Sequence, residues 1–448
     1  MVREGYKETE IGEIPVEWEV GPISDIAFVN PKTNTTLLTD RSEVTFLPME
    51  NVSESGKVMV NEVREFHEVK NGYTSFKEGD VLFAKITPCM QNGKGAHLTG
   101  LKNGVGFGST EFHVLRPKSS GNSCFIYHLT LSKKFRLVSE SYFSGSAGQQ
   151  RVAKNVFYQY HVPLPPLPEQ RRIAAVLSTI DEAIEKTEAL IAKLRQVKAG
   201  LMQDLLTKGI DEEGRVRSEE THTFKDSEIG RVPVEWEVPE LGEIYSEFKT
   251  GSTPRRNRPD YFKGDILWIT SGELKFKPIV TTKEKITAEA VKNTNLRIYP
   301  PGTFFIAITG LEADGTRGSC AINLKEATTN QSCMAFYENS KLNTDYFYQY
   351  YRYFGEDLIF KYAHGTKQQS LNASIVRSIR IKMPPKEEQH RIAAILTAAD
   401  DRIAREEAYC DKLLAMKKGL MADLLTGKVR VPEEVGESEY PEKCITSG

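Results

Sequence analysis

The chain has 448 residues, of which 39% are hydrophobic and 27% charged, and its formal net charge is −2. This length exceeds what one hydrophobic core usually serves, so it predicts two or more domains of an ordinary globular protein. The first residues are polar and acidic, and no apolar run approaches the roughly 18 residues of a membrane-spanning helix, which predicts a cytoplasmic protein. The six cysteines lack zinc-site spacing, so no metal site is expected.

The chain opens with an acidic leader that returns later. Lys7 to Val20 reads KETEIGEIPVEWEV and Lys225 to Val238 reads KDSEIGRVPVEWEV, so ten of fourteen positions are identical. We expect Trp18 and Trp236 each to begin the first strand of a domain and to pack it on a shared helical frame. Truncating Trp236 to alanine should then lower the free energy of unfolding by about 3–5 kcal/mol if the ring is buried. Unchanged thermal melting would contradict this anchoring role.

A variable body follows each leader, at residues 21–164 and 239–383. Short β-rich runs alternate there with Gly, Asn and Pro turns. The runs GDVLFAKIT, from Gly79 to Thr87, and GTFFIAIT, from Gly302 to Thr309, can be aligned. Both bodies are therefore predicted to share one fold with diverged loops.

Positive charge is concentrated in these bodies. Residues 51–168 contain 14 Lys and Arg against 8 Asp and Glu, and residues 249–385 contain 20 against 12. The leaders and the helical segments hold the compensating acidic residues. A modest basic excess of this kind suits neutralisation of nucleic-acid phosphates.

Each body ends at a Pro-Pro pair that opens a long helical segment. Pro165 to Thr207 and Pro384 to Thr426 are identical at 23 of 43 positions without a gap. Their apolar residues recur at alternating three- and four-residue spacing, which predicts a coiled-coil seam interrupted by Thr187 and Glu406. Some 37 helical residues would span roughly 55 Å. The other copy is the obvious partner, although a solvated helix packed on its own domain remains an alternative.

The chain is thus predicted to be a tandem duplication. The expected parts are a first domain at 1–168, a central helix at 169–210, a linker and second domain at 211–385, a distal helix at 386–427 and a tail at 428–448. A repeated frame that holds two dissimilar domains suits recognition of two things at a fixed distance. A two-part DNA site is such a target.

Three repeated motifs carry a family resemblance. The leader DSEIGRVPVEWEV, the segment PLPPLPEQRRIAAVLSTIDEAI and the helix ending GLMQDLLT, each present twice in related form, resemble the specificity (S) subunit of Type I restriction-modification systems. The resemblance implies an α+β fold with two mixed α/β target recognition domains, joined by two long helices in an antiparallel coiled coil with an internal pseudo-two-fold repeat. It also implies a bipartite double-stranded DNA target, with the coiled coil setting the spacer.

The same resemblance implies the partners. Two modification subunits would perform N6-adenine DNA methylation with S-adenosylmethionine, and two restriction or motor subunits could add ATP- and Mg-dependent cleavage. The specificity subunit itself is expected to be non-catalytic and to hold no cofactor. In agreement, the sequence lacks a methyltransferase N/D-PP-Y/F motif and a GxxxxGK[ST] phosphate loop.

Candidate DNA-binding residues are cationic or amide side chains in polar loops, since arginine and lysine contact phosphates or guanine and amides pair with adenine. Each could instead be merely solvated. They are Lys85, Gln91, Asn92, Lys94, Arg255, Arg256, Arg258, Arg317, Lys367, Gln368 and Gln369.

Hinge and partner-docking residues are predicted in the two PP-x-x-EQ segments. Helix capping and domain packing are the equally weighted alternative for these positions. They are Pro165, Pro166, Glu169, Gln170, Arg172, Pro384, Pro385, Glu388, Gln389 and Arg391.

Two other functions remain as alternatives. Asp260, Glu273 and Lys275 form the PD-x12-E-x-K pattern of many nucleases, which could hold a divalent ion with two carboxylates. Alternatively, the coiled coil could assemble other proteins without any reading of DNA sequence. Mg-dependent cutting abolished by Asp260→Ala would favour the nuclease, and equal binding to cognate and scrambled duplexes would favour the adaptor.

Overall fold

The computed structural model describes residues 2–60, 62–146, 149–311, 317–363 and 370–432. The chain divides into two units. The first unit consists of Met1–Ala189 and Glu407–Gly448, and the second unit of Leu190–Glu406. A long helix leaves each domain and ends in the other unit, so both units contain segments from both halves of the repeat.

The first unit contains two four-stranded sheets. One has the spatial order Glu62–Glu65, Glu43–Leu47, Val105–Gly108 and Thr74–Lys77. The other has the order Ala27–Val29, Phe112–Pro117, Val81–Ala84 and Gly95–His97. Short two-stranded pairings join Tyr6–Lys7 with Ile14–Pro15, Glu19–Pro22 with His161–Leu164, and Phe143–Ser144 with Arg151–Val152. The shorter helices are Phe66–Val69, Ser123–Leu131, Lys133–Glu140 and Val156–Gln159, with 3-10 turns at Ile23–Asp25, Met49–Asn51 and Lys102–Gly104.

The second unit repeats this plan with a four-stranded and a three-stranded sheet. The first has the order Lys249–Thr250, Cys333–Phe336, Phe304–Ala307 and Cys320–Ile322. The other has the order Lys285–Ile286, Ile266–Ile269 and Ala327–Thr329, and Phe224–Lys225 pairs with Val232–Pro233. The shorter helices are Leu241–Ile244, Ala288–Asn293, Thr344–Tyr362 and Ala373–Arg377, with 3-10 turns at Pro259–Phe262 and Ser271–Glu273.

Equivalent strands pair in the same way in both units. Val105–Gly108 runs parallel to Glu43–Leu47, and Ala327–Thr329 runs parallel to Ile266–Ile269. The two aligned β-rich runs form Val81–Ala84 and Phe304–Ala307, and every residue of these two strands is buried. Continuous apolar runs are expected for strands covered on both faces. The prediction of one fold for both bodies is therefore confirmed.

The two long helices are Leu167–Thr207, with 41 residues, and Lys386–Leu424, with 39. We call them the first and second long helix. Glycine follows each of them in the left-handed region, Gly209 at φ +67° and Gly427 at φ +71°. Glycine ends helices in this way because it lacks the Cβ that penalises positive φ. At both positions an added Cβ would collide with neighbouring atoms, which include the repeated tryptophan of the same unit.

Within each unit the helices pair in opposite directions. In the first unit Ile173 and Leu177, near the start of the first long helix, share a core with Leu424 at the end of the second. In the second unit Leu205, near the end of the first long helix, shares a core with Ile392 near the start of the second. The predicted pairing of the two copies is confirmed, and the alternative of a helix packed only on its own domain is wrong.

Ion pairs bridge the helices at positions that correspond in the repeat. Lys417 Nζ lies 2.6 Å from Asp181 Oδ1 in the first unit, and Lys198 pairs with Asp400 in the second. Asp181 and Asp400 are 219 residues apart, and so are Lys198 and Lys417. The seam interruption at Thr187 is buried, and its hydroxyl donates to the Ala183 carbonyl at 2.7 Å.

Both leader tryptophans are completely buried. Trp18 directly precedes the strand Glu19–Pro22, as predicted. Trp236 precedes only an isolated bridge between Glu237 and Met383, so the prediction of a strand at that position is wrong. The predicted packing on the helical frame is confirmed for both rings by hydrogen bonds to the long helices of their own units.

Neither long helix, nor any other helix among the described ranges, has the length and apolar character needed to cross a lipid bilayer.

Candidate nucleic-acid interface

The first unit has a buried tryptophan–glutamate–arginine cluster where the first long helix begins. Trp18 Nε1 donates to Glu169 Oε2 at 2.8 Å, and Arg430 donates to both carboxylate oxygens of Glu169, at 3.0 and 2.8 Å. Arg430 also donates to Glu17 at 2.7 Å. The hydrogen bonds from Arg430 satisfy the carboxylate, which is what a buried charge requires. The cluster ties the leader, the helix start and the segment after Gly427 together.

The second unit contains the same cluster. Trp236 Nε1 donates to Glu388 Oε2 at 3.2 Å, and Arg217 donates to Glu388 Oε1 at 2.6 Å and Oε2 at 3.1 Å. The backbone N–H of Ile210 adds a bond to Oε1 at 2.9 Å. Sequence reasoning missed Arg217 and Arg430. The available signal was that each follows a glycine that comes after a long helical segment and is directly preceded by a valine.

The glutamine next to each glutamate connects two helices of its unit. Gln170 accepts from the backbone N–H of Asn122 at 2.9 Å and donates to the carbonyls of Ser120 and Pro165. Gln389 makes the corresponding bonds to Asn343 at 2.7 Å, Lys341 and Pro384. The bonded asparagines cap the helices Ser123–Leu131 and Thr344–Tyr362. Each glutamine therefore fixes a domain helix against a long helix.

These contacts place most of the predicted hinge and docking residues inside the units. Glu169, Gln170, Glu388 and Gln389 are between 0% and 2% exposed, so their side chains pack inside the units. Pro165 and Pro384 are also buried, whereas Pro166 and Pro385 are exposed. Arg172 is buried and Arg391 is half-buried. Partner docking stays a prediction for this region.

The three arginines of the Thr250–Pro259 loop in the second unit have different side-chain partners. Arg256 makes a bidentate pair with Glu284, at 2.6 and 3.0 Å, and lies over the rings of Phe262 and Trp268. Arg258 pairs with Asp260 at 2.6 Å. Arg255 is exposed and, within the described residues, has no side-chain partner. Arg255 is thus the cation of this loop that is available to nucleic acid.

The candidates of the first unit are only partly available. Lys94 is half-buried and donates to the Met49 carbonyl at 3.0 Å. Asn92 and Gln91 are exposed but bond to Glu54 at 2.7 Å and to Glu140 at 3.4 Å. Lys85 is half-buried. These residues lie around the loop after the strand Val81–Ala84, so the structure brings them together.

The structure says little about DNA binding by four candidates of the second unit. Arg317 is half-buried at the start of the segment that leads to the strand Cys320–Ile322. Lys367, Gln368 and Gln369 lie outside the described residues.

One basic loop was overlooked as a nucleic-acid candidate. Phe276 has φ +58°, which is uncommon for a residue other than glycine and marks a strained turn. Its flanking lysines, Lys275 and Lys277, are exposed, and neither side chain has a partner within the described parts of the chain. The alternation in LKFKP was the available signal.

The nuclease pattern does not form a metal centre. Arg258 donates to both carboxylate oxygens of Asp260, and these bonds lower the pKa of that carboxyl. Glu273 accepts from the backbone of Thr270 at 2.9 Å in a capping box and from Lys283 N–H at 3.3 Å. The described residues contain no cluster of three or more His, Cys, Asp or Glu side chains suited to a metal ion. Both carboxylates have structural roles.

The chain has two mixed α/β domains of one topology. The same buried cluster fixes each domain to the pair of long helices, and each domain carries its own loops. This arrangement defines a two-domain recognition subunit. The profile of the Type I restriction modification DNA specificity domain matches residues 15–196 and 233–413, more than half of the chain. The chain belongs to this family, and it contains the domain twice. It is a DNA-recognition subunit with two recognition domains, and the nuclease and adaptor alternatives are not supported.

Known relatives agree with this assignment. The chain is 28% identical to the putative type I restriction enzyme MjaX specificity subunit of Methanocaldococcus jannaschii over 445 residues, which cover 96% of this chain and 97% of the relative. It is 42% identical to the EcoEI specificity subunit of Escherichia coli over 170 residues, covering 38% of this chain and only 28% of that subunit. The fold is similar to the crystal structure of a Type I restriction-modification S subunit from M. genitalium, with TM-score 0.56, 14% identity and coverage of 91% and 96% of the two chains.

Proposed function

We propose that this chain reads a bipartite DNA target, with one half-site for each recognition domain, and that the two long helices set the number of base pairs between the half-sites. The observation that carries the proposal is the repeated Trp–Glu–Arg cluster beneath dissimilar loops. The first unit presents a cluster of lysine and amide side chains, whereas the second presents Arg255 and a strained basic loop. A shared frame with different cationic loops suits the reading of two different sequences.

The proposal assigns chemistry to other subunits. Two modification subunits would bind S-adenosylmethionine and methylate adenine at N6, and restriction or motor subunits would use ATP and Mg. This chain would be non-catalytic and would hold none of these cofactors. Under this proposal the complex would act in the cytoplasm.

The decisive experiment is a methylation map. The chain is co-expressed with its modification subunits in a host without adenine methyltransferases, and modified bases are read by single-molecule sequencing. We expect one bipartite motif with a constant spacer, and no motif when this chain is omitted. Methylation without a consistent motif would contradict the reading of sequence and would favour an assembly adaptor.

A matched pair of DNA-binding measurements separates recognition from assembly. The purified complex should bind a duplex that contains the mapped motif more tightly than a duplex with both half-sites scrambled. A duplex in which only one half-site is scrambled should fall between them. Equal binding to all three would contradict the proposal.

A further inference from the structure

The loop that carries Arg255 in the second unit has an equivalent in the first unit, at residues 31–42. In both units the loop leaves the edge strand of a four-stranded sheet and enters a strand that has a parallel neighbour. These strands are Ala27–Val29 and Glu43–Leu47 in the first unit, and Lys249–Thr250 and Ile266–Ile269 in the second. The 31–42 loop therefore has the place in its domain that the Arg255 loop has in the other.

The middle of the 31–42 loop presents an apolar side chain to the outside. Leu37 is 96% exposed, which makes it the most exposed large hydrophobic residue in the described parts of the chain. Its neighbour Leu38 packs instead on the small core that contains Val44 and Phe46. The loop is thus attached to the domain at Leu38 while Leu37 points away from it. Contact with an apolar group on another molecule would remove the Leu37 methyl groups from water and lower the free energy.

Hydrogen bonds hold the 31–42 loop in one conformation. Arg116 donates to the Lys32 carbonyl and to the Thr33 hydroxyl, each at 3.1 Å. The side-chain oxygen of Asn34 accepts from the backbone N–H of Thr36 at 3.0 Å, which forms a local turn directly before Leu37. A loop that is already ordered loses little conformational entropy when it binds.

Exposed cations flank the uncharged middle of the loop. Lys32 and Arg41 are exposed near its two ends, and Asp40, the one carboxylate in residues 31–42, is paired with Lys70 at 2.9 Å. DNA offers the matching arrangement, because phosphates line both edges of a groove whose floor carries uncharged base edges. The apolar group that base edges present in the major groove is the C5-methyl group of thymine.

We propose that Leu37 contacts the C5-methyl group of a thymine in the half-site of the first domain, and that it is a specificity-determining residue for that base pair. Lys32 and Arg41 contact phosphates on either side of it. The inference rests on the proposed function and deepens it by assigning one residue to one base. Equivalent loops then read different chemistry, since the loop of the second domain presents Arg255.

A thymine methyl group fits this loop better than a protein surface does. A stable protein interface buries roughly 800 Å² on each partner, whereas this loop offers a single leucine and turns Leu38 inward. Insertion between base pairs is the other way in which an apolar side chain contacts DNA. The adjoining Thr35 and Thr36 favour groove contact, because threonine hydroxyls bond to base edges and threonine methyls lie against thymine.

The test uses the purified complex of the full chain with its modification subunits, and duplexes that contain the mapped motif. Each thymine is replaced in turn by uracil, which lacks only the C5-methyl group, and affinity is measured by fluorescence anisotropy. The wild type should lose about threefold to tenfold in affinity at one thymine. Leu37→Ala should bind the thymine and uracil duplexes equally at that position. Leu37→Met should keep part of the difference because it retains an apolar side chain.

The control is Leu137→Ala, which removes another exposed leucine of the first unit, 55% exposed, on the helix Lys133–Glu140. This variant should show the full wild-type loss at the same thymine. Leu37→Ala should melt at the wild-type temperature, since the side chain that it truncates is almost fully in solvent.

A uracil effect of the same size in the wild type and in Leu37→Ala at every thymine would overturn the proposal, and so would a motif without thymine. Equally weakened binding of Leu37→Ala to cognate and scrambled duplexes would indicate insertion between base pairs and would overturn it too. Weaker binding of a modification subunit by Leu37→Ala would assign Leu37 to a protein interface, against the proposal. A bipartite methylation motif persists in all of these outcomes, whereas failure of the proposed function is a map without a consistent motif.

Discussion

Glu388 is a carboxylate with 3% of its side chain exposed, and Arg217, with 8% exposed, is its cationic partner. Removing Arg217 leaves a buried negative charge that retains only neutral donors. Glu169 has an equally buried carboxylate, but its partner Arg430 has 37% of its side chain exposed. Water can therefore replace part of what Arg430 supplies, and the two equivalent arginines should not contribute equally to stability.

We predict that Arg217→Ala lowers the free energy of unfolding by about 3–5 kcal/mol, as expected when one partner of a buried pair is removed. Arg430→Ala should cost about 1–2 kcal/mol because solvent screens the exposed side of that pair. Urea unfolding measures both values. Arg215→Ala is the control, since that side chain is 71% exposed and should have a negligible effect. Equal losses for Arg217→Ala and Arg215→Ala would show that the cluster is not structural.

The arginine loop offers a second comparison between neighbouring residues. Arg255→Ala should weaken binding of the complex to its mapped DNA target about tenfold without a change in melting temperature, because the side chain is exposed and has no hydrogen-bond or ion-pair partner within the described residues. Arg256→Ala should instead lower the melting temperature, since Arg256 holds Glu284 and covers Trp268. Fluorescence anisotropy and thermal melting give the two readouts. The assignment fails if Arg255→Ala leaves DNA affinity intact.

At the scale of elements, two ion pairs at equivalent positions join the long helices, but their carboxylates differ in electrostatics. Burial alone would raise the pKa of Asp400, but Arg352, Lys198 and Gln349 together hold it below its ordinary value of 3.8. Burial raises the pKa of Asp181 despite Lys417. Asp400 therefore stabilises the fold above its ordinary pKa, and that contribution is lost as the pH falls through the lowered value. Asp181 has the opposite sign, because its contribution is present at acidic pH and is lost as the pH rises through the raised value.

Melting temperatures of Asp400→Asn and Asp181→Asn between about pH 3 and pH 7 test this difference. Asp400→Asn should be the more destabilised variant at neutral pH, and its difference from the wild type should shrink as the pH falls. For Asp181→Asn, the wild type should instead become relatively more stable as the pH falls. Parallel pH profiles for the two variants would contradict the opposite shifts.

At the scale of the whole molecule, the proposed spacer function depends on helix length. Inserting seven residues between Ala189 and Leu190, and seven between Glu406 and Glu407, preserves the heptad phase of both helices. The insertion adds about 10 Å of helix, roughly 3 base pairs of duplex. Methylation mapping should show a longer spacer with both half-sites unchanged. A changed half-site, or an unchanged spacer, would count against the helices as a ruler.

The sequence alone determined the duplication, the family and the pairing of the long helices. This was possible because identity between segments 218 and 219 residues apart and a three-four apolar pattern are properties of the linear chain. The buried strands around Phe83 and Phe305 were predictable for the same reason, since continuous apolar runs between turn residues are local signals.

Only the tertiary structure decided what the polar residues do. The sequence did not indicate that Trp236 and Arg217, far away along the chain, donate hydrogen bonds to the Glu388 carboxylate. The sequence pattern made Asp260 a candidate metal ligand, but in the structure its carboxylate accepts hydrogen bonds from Arg258. The three neighbouring arginines became distinguishable only when their partners were known. The role of a charged side chain depends largely on the groups that it hydrogen-bonds at about 3 Å, and for Glu388 and Arg256 those groups come from distant segments that folding brings together.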